Sequence, residues 1–141
     1  MKKLLIATTL TLSCSTVFAG GTGSTDIALA SYGGIGAVVS IGVPLDITFL
    51  SDNGLHTYGE IEAAIGIHES VNAGLELAGG ILVNVADGLS IYGSLGPAIG
   101  IDAGFGLGVE IGFNIDINDT TIFIEGGSHP GSNYVAVGMS L

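Results

Sequence analysis

Five glutamates, Glu60, Glu62, Glu76, Glu110 and Glu125, all fall on the polar side of segments in which the other parity is apolar. No Lys or Arg follows Lys3, so none of these acids has a fixed cation to pair with. Two carboxylates ~7 Å apart at an effective dielectric of 20 repel by ~2.4 kcal/mol. Acids sharing one face must therefore be protonated, hydrated or bridged by a cation. The residues leave two readings open: a narrow, cation-attracting lumen or divalent-ion site, and a plug of Glu, Tyr, Ser and Asn hydrogen bonds. No metal-ligand spacing names an ion, so no metal site and no cofactor is assigned. His56 and His68 lie near opposite ends of one segment, too far apart to chelate together, and read as rim residues. His129 and Ser132 are separated by Pro130 and Gly131 in an expected turn, with no carboxylate or base poised beside the hydroxyl. No catalytic residue follows, and the chain reads as a non-enzyme.

The elements that position these acids announce themselves by alternation. In "AGFGLGVEIGFNIDI", residues 103–117, Phe105, Leu107, Val109, Ile111, Phe113 and Ile115 share one parity, and glycines with Glu110, Asn114 and Asp116 share the other. Successive side chains of a strand point to opposite faces, so this segment has one greasy face and one small, polar face. The pattern recurs after Thr25 and predicts eight strands near 25–31, 34–49, 55–68, 72–83, 89–101, 104–117, 120–127 and 133–141. Turn signals separate them: "YGG", "SDNG", "ESVN", "NVADG", "DAG", Asn118-Asp119 and "GGSHPGSN". The two-residue Asn118-Asp119 loop must flip the parity, and Ile122 and Ile124 do become the apolar positions while Phe123 and Glu125 move to the other face.

The chain opens "MKKLLIATTLTLSCSTVFAGG", a basic start, a short apolar stretch and small residues before Gly20. This reads as a signal peptide over residues 1–19, leaving a barrel domain over 20–141. The apolar stretch is too short to span a bilayer as a helix. The only cysteine, Cys14, falls inside the signal, so the mature chain holds no disulfide. All 13 Asp and Glu lie beyond it, which leaves nothing to neutralise phosphates and excludes nucleic acid as a partner. At 48% apolar residues the imbalance does not mean disorder. High hydropathy, 25 glycines, many acids and no long apolar run together predict an all-β chain, an eight-stranded antiparallel up-and-down transmembrane β-barrel.

The glycine-rich face decides which side is inside. An eight-stranded barrel is only wide enough for side chains to fill, and small residues leave room for a few large ones. Tyr32, Tyr58, Tyr92 and Tyr134 all fall on that face, where rings can lie across glycines and hydroxyls can reach polar partners. In an inverted, soluble barrel these glycines would be exposed and pack against nothing.

The pattern resembles the small eight-stranded outer-membrane proteins, the families of outer membrane protein X and outer membrane protein W and the opacity-type barrels. The closing "YVAVGMSL" is similar to the terminal signal read by the barrel-assembly machinery, although the family ends in Phe or Trp where this chain has Leu141. The aromatic girdle is reduced to Phe49, Phe105 and Phe113, and the short loops depart from the long loops of adhesins. Lipid A deacylases are similar barrels with a His-x-Ser-Asn strand motif, which the spacing of His129 and Ser132 does not match. The resemblance implies an outer-membrane location, a structural or small-cation-permeability role, and lipid and lipopolysaccharide as neighbours. Without Lys or Arg, Glu69, Asp102 and the loop around His129 are expected to meet lipopolysaccharide through divalent cations. The alternative is a secreted, self-assembling β protein, a fibre or oligomeric pore-former, because the strand edges carry no lysine gatekeeper.

Overall fold

The computed structural model describes residues 24–45 and 47–141; the signal segment 1–19 lies outside them. Eight strands follow one another: β1 (Thr25–Ser31), β2 (Ile35–Leu45), β3 (Leu55–Ile67), β4 (Val71–Ala86), β5 (Leu89–Gly100), β6 (Gly104–Ile117), β7 (Thr120–His129) and β8 (Ser132–Ser140). Each pairs antiparallel with its neighbours, and β1 closes on β8 through pairs such as Asp26 with Ser140. Closure leaves no open sheet edge, which is the fold's own protection against edge-to-edge pairing.

Burial follows the parity read from the sequence. Along β6, Gly112, Glu110, Gly108 and Asn114 are buried while Leu107, Val109, Ile111 and Phe113 are exposed. The core is therefore the lumen, filled by the four tyrosines, Phe123, Val38, Leu82, alanines and the acids. Phe123 and Glu125 are inside and Ile124 is outside, as the flip at the Asn118-Asp119 loop requires. Asn118 makes that turn with φ of 56°, a left-handed conformation that Asn tolerates better than most residues.

Three boundaries differ from the sequence reading. β2 stops at Leu45, and residues 48–51 form a helical turn, α1 (Thr48–Ser51), instead of extending the strand to 49. Here the backbone satisfies itself locally: Asp52 donates its N–H to the Thr48 carbonyl, and the Asn53 side chain donates to the Phe49 carbonyl. The outward-facing Thr57 is buried at this end of β3, where its hydroxyl donates to the Leu45 carbonyl. β4 runs on to Ala86 with a bulge between Asn84 and Ala86, so that only Asp87 and Gly88 form the connection. Gly88 supplies the positive φ of 70° that such a tight loop demands.

The third difference matters most. "GGSHPGSN" is not a loop: β7 continues through Gly126, Gly127 and Ser128 to His129, and the turn is Pro130-Gly131 alone. Proline pre-sets one turn residue and glycine accepts φ of 87° at the next, so two residues suffice. The hairpin tip lies close to the neighbouring strands: a Cβ added at Gly106 would meet the Pro130 ring, and one added at Gly131 the Ala103 methyl.

Candidate functional site

Glycines determine where the large side chains can lie. Tyr58 is paired with Gly80, Tyr92 with Gly112 and Tyr134 with Gly127, and in each case a Cβ on the glycine would overlap the ring. The tyrosines thus lie flat across the neighbouring strand, and their hydroxyls reach past it. Tyr92 donates to Glu125 Oε2 at 2.6 Å, and the Tyr134 hydroxyl lies 3.0 Å from both Glu62 Oε1 and Glu110 Oε1. Glu76 uses the same device: its carboxylate crosses β5 and rests against Gly108 of β6.

The structure puts Glu60, Glu62, Glu76, Glu110 and Glu125 all in the lumen, each no more than 6% exposed. It does not gather them at one point. Glu125 takes a hydrogen bond from Tyr92, whereas Glu62, Glu76 and Glu110 converge on a single imidazole. His129 Nε2 lies 2.8 Å from Glu76 Oε2, 3.2 Å from Glu62 Oε1 and 3.9 Å from Glu110 Oε1. Glu110 is held on its other oxygen by the Ser94 hydroxyl at 2.8 Å. The imidazole packs against two tyrosine rings, with centroids 5.6 Å from Tyr32 and 5.3 Å from Tyr134, and the Tyr32 hydroxyl sits 3.3 Å from Nδ1. Glu62, Glu110 and His129 offer donor atoms that all lie within 4.8 Å of one another, a grouping able to hold a metal ion.

Two residues of this interior escaped the sequence reading. His129 was expected on an outer loop with a role at the lipopolysaccharide surface; it is 3% exposed and points into the barrel, because β7 carries it past the expected turn. The signal that could have found it is parity: after the flip, the interior positions of β7 are 121, 123, 125, 127 and 129. Asp26 is the other, 1% exposed and accepting hydrogen bonds from Ser24 and Ser140. It shares the parity of Ala28 and Ala30, which are also buried. Of the remaining candidates, His56, His68, Glu69 and Asp102 are exposed at the ends of the barrel. Ser132 directs its hydroxyl to the Asn133 carbonyl at 3.2 Å, away from any arrangement with His129.

No family model matches the chain, and no curated protein matches it. Among solved structures, it is similar to a designed protein described as "De novo design of transmembrane beta-barrels", with a TM-score of 0.55, 16% identity, and coverage of 84% of this chain and 95% of that one. A second designed barrel, TMB2.3, solved in solution by NMR, aligns over 87% of this chain and 96% of its own at 18% identity and a TM-score of 0.44. The likeness to the first is one of fold: a closed, eight-stranded, all-antiparallel barrel of the transmembrane type.

Proposed function

We propose that the chain is a small, non-catalytic integral protein of the outer membrane whose barrel is closed by its own side chains and serves a structural role in the bilayer. The observation that carries this reading is the inversion of polarity between the two faces. Around the barrel, residues such as Leu29, Ile41, Leu77, Leu95, Ile111 and Val137 expose 52–78% of an apolar surface, while Asp26, Glu60, Glu62, Glu76, Glu110 and Glu125 are withdrawn inside. Monomers in water rarely expose contiguous apolar patches beyond a few hundred Å². A lipid environment removes that penalty, and closed barrels satisfy every backbone group without water.

Of the two roles open at the level of sequence, the plug is favoured over the cation path. The lumen acids are almost inaccessible to water, and Tyr92, Tyr134 and Ser94 tie Glu125, Glu62 and Glu110 across the interior. Planar-bilayer recording tests this directly: the folded barrel is expected to leave the bilayer electrically silent, and steady cation-selective steps would overturn the closed-plug reading. Fractionation with a heat-modifiability gel tests the location. A monomer in the outer-membrane fraction that migrates differently before boiling is expected; detergent-resistant, high-mass material outside the cell supports the secreted, self-assembling alternative instead.

A further inference from the structure

We propose that His129, Glu62 and Glu110, bordered by Glu76, form a buried binding site for a divalent first-row transition metal, with Zn²⁺ as the representative ion. The residues come from four strands, β7, β3, β4 and β6, and His129 reaches the glutamates from the end of β7 beside the Pro130-Gly131 turn. The cluster is more than a group of acids. His129 is 3% exposed, and its Nε2 makes no aligned hydrogen bond although three carboxylate oxygens lie within 3.9 Å. Glu76 is 1% exposed, and neither of its carboxylate oxygens receives a hydrogen bond. A buried imidazole nitrogen aimed at the Glu62 and Glu110 carboxylates without an aligned proton has the disposition of a metal ligand.

Geometry and charge agree with this assignment. Four donors at about 2.0–2.1 Å from a tetrahedral Zn²⁺ are separated from one another by about 3.3 Å. Within the ligand group the Nε2 distances to Glu62 and Glu110, 3.2 and 3.9 Å, straddle that value, and the three donor atoms all lie within 4.8 Å of one another. On the far side of the ring, the Tyr32 oxygen lies 3.3 Å from Nδ1, within reach to accept its proton in the tautomer whose Nε2 lone pair faces the cluster. A dication also supplies the positive charge that a chain without Lys or Arg beyond residue 3 cannot. Imidazole with carboxylates selects Zn²⁺, Co²⁺ or a neighbouring ion over Mg²⁺ and Ca²⁺, which prefer all-oxygen shells.

The test uses untagged protein refolded in detergent from metal-depleted buffer, with Zn²⁺ or Co²⁺ added before folding because the closed lumen bars later entry. After gel filtration the folded barrel should retain roughly one Zn²⁺ or Co²⁺ per chain, in a form that raises its unfolding midpoint. Ca²⁺ should not be retained. His129→Gln should abolish retention, and Tyr32→Phe, which keeps every proposed ligand, should weaken metal affinity by about 10–100-fold. Absence of stoichiometric metal from folded wild-type protein, or an unfolding midpoint identical with Zn²⁺ and with chelator, overturns the proposal. The wild-type measurements stand even where His129→Gln fails to fold.

Discussion

Placing arginine at Ile111 separates a lipid-facing belt from a water-facing one by sign and by depth. β6 has 14 residues. At a rise of ~3.4 Å per residue and a tilt of ~40°, it stands ~34 Å tall, more than the ~25 Å apolar band of an outer-membrane barrel. Ile111 is near its middle, 62% exposed and flanked by Gly93 and Gly126 on the adjacent strands. Ile117 is on the same face six residues later, ~16 Å away along the membrane normal and therefore beyond the edge of the band. Arginine at the bilayer midplane costs about 2–4 kcal/mol and near the interface about 0–1 kcal/mol. Ile111→Arg is thus expected to lower the folding equilibrium constant roughly 30- to 700-fold, with Ile117→Arg close to wild type. The chain has no tryptophan, so folding into vesicles across a denaturant series is followed by heat-modifiable migration and far-ultraviolet dichroism. In water, replacing an exposed isoleucine changes stability by no more than about 0.5 kcal/mol at either position. Equal, small effects for Ile111→Arg and Ile117→Arg would refute the assignment of this face to lipid.

Other consequences follow from the packed interior. Gly112→Ala drives a methyl group into the Tyr92 ring and should destabilise the barrel by about 1–3 kcal/mol, whereas Gly79→Ala, on the outer face with its nearest neighbour 4.0 Å away, should be neutral or slightly stabilising; paired denaturant titrations compare them. Tyr92→Phe removes the hydroxyl donor of Glu125 Oε2 inside the barrel and should cost about 1–3 kcal/mol in the same titration. Asn118→Val forces a β-branched residue into φ of 56° and should cost about 1–2 kcal/mol, with Asn118→Gly tolerated.

The barrel was legible because its code is local. A strand buried on one face repeats with period two, and each turn either keeps or flips the parity according to its length, so faces can be followed from Thr25 to Leu141 without any long-range contact. Two of the three errors occur where turn chemistry outweighed parity; at 46–49 parity ran on past the end of β2. "GGSHPGSN" contains enough Gly, Ser, Pro and Asn to read as a loop, yet Gly127 is the seat of the Tyr134 ring and His129 is an interior position of the same strand. In this barrel, glycine within a strand marks the landing place of a large side chain as often as it marks a turn. The same lesson applies to "NVADG", where the ladder persists until only Asp87 and Gly88 remain.

The meeting of His129 with three glutamates belongs to a different level. Glu62 and Glu76 are direct cross-strand partners, and the short turn at 68–70 sets that register, so the juxtaposition of two like charges is already implied by local rules. Like charges directly opposite one another on adjacent strands are destabilising, and β3 and β4 carry no Lys or Arg to relieve them. Relief arrives from β7, on the far wall, and only because closure brings the strands around a lumen narrow enough for one imidazole to touch both. Glu110 joins from β6, positioned by its own cross-strand partner Ser94. A chain that keeps a carboxylate pair inside an apolar shell, and spends its one buried histidine among the described residues at that point, has made the pair depend on whatever the imidazole holds there, a shared proton or a metal ion. The retention of Zn²⁺ by the wild-type barrel decides between these two.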